Sequence, residues 1–219
     1  MTSYDAVLLD MDGVLVDSEA YWQSQMEEIL DDVTKDDVQF TQFVGRNPRE
    51  QYELLRSEYD VDISRTEYLI QYSSNAESIY REKVDLISDF REIVNTIEVA
   101  DIPIGLVSSS PPEWIAMVLD EFKLTEVFDV LVSGSALNAP SKPSPDIYQR
   151  AAAELNLETS NIIAVEDTLT GVNAALAADM YCIAYRVNQE GSTGFNKANE
   201  VIESGESLAS RLESLLINR

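Results

Sequence analysis

Five short runs of consecutive apolar residues occur along the chain, and each has the length of a β-strand. They are residues 6–9, 102–107, 128–132, 162–165 and 181–185. A run that is apolar at successive rather than alternate positions is typical of a strand covered on both faces. The pattern therefore predicts five buried strands.

Helical patterns separate these strands. In residues 89–98 the apolar side chains recur at intervals of three and four, the period of one helix face. Similar patterns predict helices over residues 112–122, 145–155, 168–178 and 207–217. Ser144 is the predicted N-cap of the helix that begins at Pro145, because proline suits the first helical position. This alternation predicts the α/β class, with a central parallel sheet covered on both faces.

The alternation stops between residue 18 and about residue 84. This stretch contains no convincing strand run, whereas residues 18–32, 49–59 and 66–82 have helical patterns. The predicted organisation is an α/β domain formed by residues 1–17 and 85–219. A helical insert, residues 18–84, interrupts that domain after its first strand.

The composition is that of a folded domain. The chain has 219 residues, 45% of them hydrophobic, which suffices for a sizeable core. No apolar run approaches the ~18 residues of a membrane span, and no signal peptide is recognisable. The only cysteine, Cys182, cannot form an intramolecular disulfide. A cytoplasmic protein with no membrane partner is therefore expected.

The chain carries a large negative charge that is spread along its length. Forty acidic residues against 15 basic ones give a net charge of −25. A diffuse acidic surface favours solubility in concentrated salt, where the Debye length falls to ~3 Å at 1 M. The charge predicts a halophilic (salt-loving) source. It also disfavours a nucleic-acid partner, because phosphate backbones would be repelled.

Histidine is absent from the sequence. Its absence excludes Ser-His-Asp and Cys-His catalysis and all metal sites that need imidazole ligands. Acid–base chemistry must therefore come from Asp, Glu, Lys or Tyr side chains, or from water.

Polar side chains follow four of the predicted strands. They are Asp10 and Asp12 after the first, three serines at 108–110 after the second, Lys142 beyond the third, and Glu166 and Asp167 after the fourth. Ligands of open parallel sheets bind beyond the carboxyl ends of the strands. We therefore expect acid, hydroxyl and ammonium groups to meet at one edge of the sheet.

These residue types suit phosphoryl transfer. Asp10, Glu166 and Asp167 would concentrate negative charge that a cation must balance, and Mg²⁺ prefers such oxygen ligands. The Asp10 carboxylate can attack phosphorus to give an acyl phosphate. Lys142 and the Ser108 hydroxyl can stabilise charge on the phosphoryl oxygens.

Two residues beside Asp10 complete the predicted chemistry. Asp12 can protonate the leaving alkoxide and later activate water. Gly13 allows the tight turn that directs both aspartates toward the site. Aromatic residues such as Trp22 and Trp114 are instead expected to pack in the core or the helical insert.

Four motifs carry a family resemblance. They are Asp10-Met11-Asp12-Gly13-Val14-Leu15, Leu106-Val107-Ser108, Lys142-Pro143 followed by Pro145-Asp146, and Glu166-Asp167-Thr168 with Gly171. In this order they resemble the haloacid dehalogenase (HAD) superfamily hydrolases, in the beta-phosphoglucomutase and phosphoglycolate phosphatase-like branch. The resemblance spans nearly the whole chain. It implies a Rossmann-like core with an α-helical cap inserted after the first motif, where residues 18–84 lie.

The resemblance also implies roles at the sheet edge. Asp10 would be the nucleophile and Asp12 the general acid/base. The metal, Mg²⁺, would be held by the Asp10 carboxylate, the Asp12 backbone carbonyl and Asp167, with Glu166 beside them. The phosphoryl group would be bound by Ser108, Lys142 and the backbone amide of Ser109.

In the cap, the resemblance implies a loop that faces the substrate. Gly45 and Arg46 begin this loop, and Arg49 is a second candidate for substrate contact. The implied partner is a small phosphorylated metabolite, such as phosphoglycolate or a sugar phosphate. The oligomeric state is left open.

Other functions remain as alternatives. Dehalogenases of the family lack the second aspartate, Asp12, whereas a phosphonatase needs a cap lysine, and neither Lys35 nor Lys83 stands in an obvious substrate loop. A beta-phosphoglucomutase typically has a histidine after the first motif and a cap lysine, where Trp22 and Asn75 stand here. A phosphomutase and a non-catalytic binding protein on the same fold both remain possible.

Overall fold

A parallel β-sheet forms the centre of the computed structural model, which describes residues 4–39, 42–43, 46–186 and 194–217. Its strands in the described residues are β1 (Ala6–Leu9), β2 (Ile104–Ser108), β3 (Val130–Ser133), β4 (Ile162–Glu166), β5 (Tyr181–Arg186) and β6 (Glu200–Glu203). They pair side by side in the order β3-β2-β1-β4-β5-β6, and every pairing is parallel.

The sheet has a packed core on each face, as the continuous apolar runs predict. Along β1, Val7 and Leu9 enter one core while Ala6 and Leu8 enter the other. Helices α4 (Phe90–Val99), α5 (Pro112–Glu121) and α8 (Leu208–Leu216) supply side chains to the first core; α6 (Asp146–Leu155) and α7 (Leu169–Ala177) supply the second. The predicted α/β class with a parallel sheet is confirmed.

Two details differ from the sequence prediction. The strand β6 is not among the predicted runs, because its sequence, EVIE, has only two apolar residues between two glutamates and lies at the edge of the sheet. The predicted N-cap of α6 is wrong: the cap position is Pro145, and the Ser144 hydroxyl donates to the Asp146 carboxylate instead of accepting from the backbone.

Helices occupy the stretch between β1 and α4. They are α1 (Glu19–Val33), α2 (Pro48–Glu58) and α3 (Arg65–Ser78), followed by a π-helical turn, Ile79–Lys83. Ser64 and Glu67 form a capping box that starts α3. We refer to residues 19–83 as the helical segment. In its described residues it forms no separate core: Trp22, Met26 and Tyr80 belong to the same apolar cluster as Val7 and Leu9 of the sheet.

Candidate active site

The site lies where β1 and β4 run side by side in the middle of the sheet. The chain continues from β1 to one side of the sheet and from β4 to the other, which leaves a crevice at their carboxyl ends. Asp10 directly follows β1, Glu166 is the last residue of β4, and Asp167 comes next. Parallel pairing thus brings together carboxylates that are far apart in sequence.

These three carboxylates form a buried cluster. Asp10, Glu166 and Asp167 are 7%, 0% and 1% exposed, and each offers an oxygen within 4.8 Å of the others. Burial raises the pKa of Asp10 to about 8, with Glu166 and Asp12 adding to the rise and Lys142 opposing it. Burial, with the nearby Glu19 and Asp10, also raises the pKa of Asp167 well above its usual range.

A divalent cation fits this cluster. Burial and neighbouring acids raise the pKa values of Asp10 and Asp167, so their charged forms are disfavoured there, and a nearby positive charge would offset this. The donor atoms are all oxygens, the ligands preferred by Mg²⁺, Ca²⁺ and Mn²⁺ rather than by softer metals.

Lys142 partly balances the cluster. Its Nζ lies 2.5 Å from Asp10 Oδ1 and 2.6 Å from Glu166 Oε1, and it donates to the Val107 carbonyl at 3.3 Å. Burial alone lowers the pKa of Lys142, but the charges of Asp10 and Glu166 raise it more, so that the net shift is upward. The ammonium group therefore stays charged at neutral pH.

Tyr148 is a site residue that the sequence prediction missed. Its hydroxyl donates to Glu166 Oε1, and Lys142 Nζ lies 5.5 Å from the centre of its ring. Burial and the carboxylates around it raise the pKa of Tyr148 well above the usual value, which keeps the phenol protonated as a donor. In the sequence Tyr148 is one apolar-face position of α6, and nothing distinguishes it from a core residue.

Two glycines leave room for the carboxylates. A Cβ on Gly171 would lie 1.9 Å from Glu166 Oε2, and one on Gly13 would lie 1.9 Å from Asp167 Oδ2. Gly13 also has a φ of +80°, in the left-handed region that favours glycine. The backbone therefore packs directly against both acids, Glu166 at the end of β4 and Asp167 just after it.

Asp12 is held by hydroxyl groups. Its Oδ1 accepts from Ser18 at 2.5 Å and from Tyr80 at 2.8 Å, and its Oδ2 accepts from Ser110 at 3.1 Å. Burial raises the pKa of Asp12, while these three hydrogen bonds oppose the rise. Tyr80 is a second residue that the sequence prediction missed.

The three serines after β2 have different environments. Ser108 is 1% exposed, and its Oγ accepts from the backbone N–H of Ser110 at 3.0 Å. Ser110 contacts Asp12, as described, and its carbonyl accepts from Ser133 at 2.6 Å. All three serines, including Ser109, line the cavity above the carboxylates.

This cavity has a volume of about 110 Å³ and is shared between the sheet edge and the helical segment. Three stacked rings, Trp22, Tyr72 and Trp114, form one side together with Tyr80, and we call these four residues the aromatic wall. All four are buried. Trp22 and Trp114 were expected only to pack, and they do both: they join the core and line the cavity.

The predicted cap residues differ in their location. Gly45 lies outside the described residues. Arg46 lines the cavity, and its Nε donates to the Gln42 carbonyl at 3.3 Å. Arg49 is exposed and does not line the cavity. Lys35 and Lys83 are likewise exposed and do not line the cavity.

Known proteins resemble this chain in sequence and in fold. The model of the haloacid dehalogenase-like hydrolase family matches residues 7–185. Hexitol phosphatase B of Escherichia coli is 31% identical over 188 residues, which cover 81% of this chain and 82% of that protein. Two crystal structures share the fold: CbbY of Rhodobacter sphaeroides with phosphate, and beta-phosphoglucomutase of Clostridium difficile. The match to CbbY has a TM-score of 0.77 at 21% identity and covers 91% of this chain and 93% of the CbbY chain. The match to the mutase has a TM-score of 0.74 at 22% identity and covers 99% of this chain and 100% of the mutase chain.

The chain belongs to the haloacid dehalogenase-like hydrolase family, and it is an enzyme of the phosphatase type within it. This confirms the family expected from the four motifs. None of the helices in the described part of the chain combines the length and apolar character that crossing a bilayer requires.

Proposed function

We propose that this enzyme hydrolyses a small phosphate monoester with Mg²⁺ as cofactor, through an acyl phosphate formed on Asp10. The observation that carries the proposal is the buried cluster of Asp10, Glu166 and Asp167 beside Lys142. A nucleophile, an oxygen-donor metal site and a fixed cation meet there within a few ångströms. The cavity above them is open to a small ligand.

The reaction has two steps. An Asp10 oxygen attacks phosphorus, the bond from phosphorus to the substrate oxygen breaks, and protonated Asp12 gives its proton to the leaving oxygen. Water then attacks the phosphorus of the acyl phosphate, the bond from phosphorus to the Asp10 oxygen breaks, and ionised Asp12 takes a proton from that water. Inorganic phosphate leaves, and both aspartates return to their starting state.

The other residues of the site position the phosphoryl group and neutralise part of its charge. Lys142 holds one oxygen of Asp10 and limits charge repulsion toward the incoming phosphate. Ser108 and the Ser109 amide line the cavity where phosphoryl oxygens would bind. Mg²⁺, when bound, supplies positive charge that offsets the repulsion between the carboxylates and the phosphate and orients phosphorus for in-line attack.

The metal ligands we propose are the carboxylates of Asp10 and Asp167 and the backbone carbonyl of Asp12. Glu166 lies beside them, and its Oε1 already accepts from Tyr148 and contacts Lys142. This supports a role for Glu166 in holding Lys142 and the site's charge rather than as a main ligand.

We infer that the substrate is a small phosphorylated sugar or polyol that binds between the core and the helical segment. We infer that residues 18–84 act as a cap over the core formed by residues 1–17 and 85–219, and that Arg46 contacts the substrate. The 31% identical relative is named a hexitol phosphatase, which supports a phosphorylated sugar or polyol. The diffuse negative charge speaks against a nucleic-acid partner, and we propose the cytoplasm as compartment.

A phosphomutase is the second candidate, supported by the fold likeness to beta-phosphoglucomutase. Hydrolysis is favoured because the chain has no histidine, whereas a beta-phosphoglucomutase typically has one after the first motif. Among the described residues, moreover, no lysine of the helical segment lines the cavity.

Phosphate release tests the proposal. The purified protein is assayed with Mg²⁺ on hexitol, pentose, triose and carboxylate phosphates, for inorganic phosphate and for conversion between sugar phosphate isomers. We expect release of phosphate that EDTA abolishes and that Asp10→Asn lowers at least ~10⁴-fold. Equal rates for wild type and Asp10→Asn would contradict the mechanism, and isomer conversion without phosphate release would favour the mutase.

We also propose that the acidic surface adapts the protein to high salt. With 40 acidic and 15 basic residues, repulsion between like charges opposes folding when screening is weak. We expect the melting temperature to rise by several degrees between about 0.1 and 1 M KCl, as screening increases. A melting temperature that is constant or falls across this series would reject the adaptation.

A further inference from the structure

We propose that Tyr80 is a positioning residue for Asp12, and that it fixes which oxygen of Asp12 exchanges a proton with the leaving group. The inference rests on the proposed function, in which Asp12 is the general acid. Tyr80 is 1% exposed and lies in the π-helical turn at the end of the helical segment. Its hydroxyl reaches back to the core and donates to Asp12 Oδ1 at 2.8 Å.

The direction of this hydrogen bond is fixed by Trp22. The indole Nε1 of Trp22 donates to the Tyr80 oxygen at 3.1 Å. Because an indole N–H can only donate, it occupies a lone pair of the phenol oxygen. The single proton of Tyr80 cannot go to the indole, and Asp12 Oδ1 accepts it. A serine hydroxyl can rotate, so the direction of its proton is not fixed unless a hydrogen-bond partner fixes it.

The two oxygens of Asp12 are therefore unequal. A carboxylate oxygen has two lone pairs. Among the described residues, Oδ1 accepts from both Ser18 and Tyr80, whereas Oδ2 accepts from Ser110 alone. Oδ1 is saturated, so the exchangeable proton of Asp12 belongs on Oδ2. Tyr80 thus holds the Asp12 carboxyl group in a fixed orientation, with Oδ2 as the oxygen that carries the proton.

Aromatic packing holds Tyr80 in this position. Its ring lies 5.8 Å from Trp22 and 6.1 Å from Trp114, centre to centre. Trp22 belongs to the helical segment and Trp114 to α5, on the sheet side. The hydroxyl is therefore held before substrate arrives, and little conformational entropy is lost when Asp12 acts.

Three aryl phosphates of increasing leaving-group quality test the role: phenyl, 4-nitrophenyl and 2,4-dinitrophenyl phosphate. Their shapes are similar, but the phenolate oxygen needs a proton most in the first and hardly at all in the last. The constant kcat/KM reports the steps up to departure of the phenolate. We expect Tyr80→Phe to lower kcat/KM about tenfold for phenyl phosphate and less than about twofold for 2,4-dinitrophenyl phosphate. Equal losses on all three esters, or no loss on any, would overturn the proposal.

Trp22→Phe provides the second variant, since it keeps a ring but removes the N–H. We expect kcat/KM to fall most for phenyl phosphate and least for 2,4-dinitrophenyl phosphate, as in Tyr80→Phe, but with a smaller difference between the esters. Equal kcat/KM losses on the three esters would overturn the role of the indole in directing the Tyr80 proton. If thermal melting shows that Tyr80→Phe is unfolded, the Trp22→Phe profile decides alone.

The matched control is Tyr52→Phe. Tyr52 is also a buried tyrosine of the helical segment, but its hydroxyl donates to the Ile63 carbonyl at 3.1 Å and it does not line the cavity. We expect wild-type kcat/KM on all three esters. Failure of the proposed function would look different: wild type would hydrolyse none of the esters, or would do so independently of Asp10.

Discussion

The sheet edge and the helical segment face each other across one cavity, yet they supply opposite chemistry. The sheet edge contributes buried charge: Asp10, Glu166 and Asp167, with Lys142 between two of them. The helical segment contributes mainly aromatic rings and one cation among the described residues, Arg46. Groups that must stay within tenths of an ångström lie at the ends of hydrogen-bonded strands. The groups on the opposite side of the cavity come mainly from the helical segment, whose buried side chains share a core with the sheet.

The two regions also meet directly beside Lys142. Asn47, the N-cap of α2, donates through its amide to Ser141 Oγ at 2.7 Å. The backbone N–H of Ser141 in turn donates to Glu50 at 3.3 Å. The loop that carries Lys142 is therefore tied to the helical segment by two hydrogen bonds.

Replacing one cation in each region gives the largest expected contrast. Lys142→Met leaves Asp10 and Glu166 without their partner, so we expect a loss of at least ~10³-fold in kcat and about 3–5 kcal/mol of stability in the metal-free protein. Arg46→Met should raise KM by about tenfold or less and change kcat little. Steady-state kinetics and denaturant unfolding measure both.

The control for this pair is Lys35→Met, at an exposed lysine remote from the cavity, for which we expect wild-type kinetics. A Lys142→Met enzyme within tenfold of wild type would remove the distinction between the two regions.

Crowding the sheet edge should have the next largest effect. Gly171→Ala brings a methyl group against the Glu166 carboxylate, which is buried and held by Lys142 and Tyr148. We expect kcat to fall about 10²-fold and the free energy of unfolding to fall by about 1–3 kcal/mol. Gly134→Ala is the control, because its nearest neighbour is a terminal methyl of Ile147 at 3.1 Å, which can shift. Equal effects of the two substitutions would mean that the Glu166 carboxylate tolerates displacement.

The pH dependence of metal binding should further distinguish the acids at the sheet edge from those of the helical segment. Without metal, burial holds the pKa of Asp10 near 8, above the value of about 4 in an unfolded chain. The folded state therefore binds more protons between about pH 4 and pH 8, and this contribution to stability is lost as pH rises through that window. Mg²⁺ favours the ionised form, so we expect it to raise the melting temperature by several degrees more at pH 8 than at pH 5.

Asp167→Asn should abolish most of the Mg²⁺-dependent rise, whereas Glu53→Gln, at an exposed acid of α2, should preserve it. A rise that is the same at both pH values would show that these carboxylates do not couple protons to metal.

The hydrogen bonds between the regions should have the smallest effect. Ser141→Ala removes the acceptor of Asn47 but keeps the backbone bond to Glu50. We expect kcat/KM to fall about two- to fivefold and the melting temperature to change by less than about 2 °C. Ser74→Ala, on the exposed part of α3, should leave both unchanged. A loss as large as that of Gly171→Ala would mean that the helical segment helps to hold Lys142 in place.

Sequence reasoning reached the sheet edge because strands are short and their ends are sharply marked. Asp10 and Asp167 each follow an apolar run, and parallel pairing is enough to bring such ends together. It missed Tyr148 and Tyr80, because each occupies an apolar position of a helix and only tertiary structure brings its hydroxyl to a carboxylate. It missed β6 because half of the four residues of that edge strand are acidic.

The helical segment was harder to interpret for a physical reason. Periodicity tells which face of a helix is buried but not which buried residues border a cavity. Trp22 was therefore expected only to pack, although it also forms part of the aromatic wall. Arg46 was singled out by the family resemblance and does line the cavity, but its contact with a substrate is still a prediction.

The shared apolar cluster limits how this enzyme can be re-engineered. Since Trp22, Met26 and Tyr80 pack in one core with the sheet, a chimaera that imports a foreign insert must also import a matching inner surface, or it will leave voids in that shared core. For the same reason the insert and the sheet should melt in a single cooperative transition. New selectivity is therefore more readily evolved by exchanging individual side chains at the rim than by transplanting whole modules.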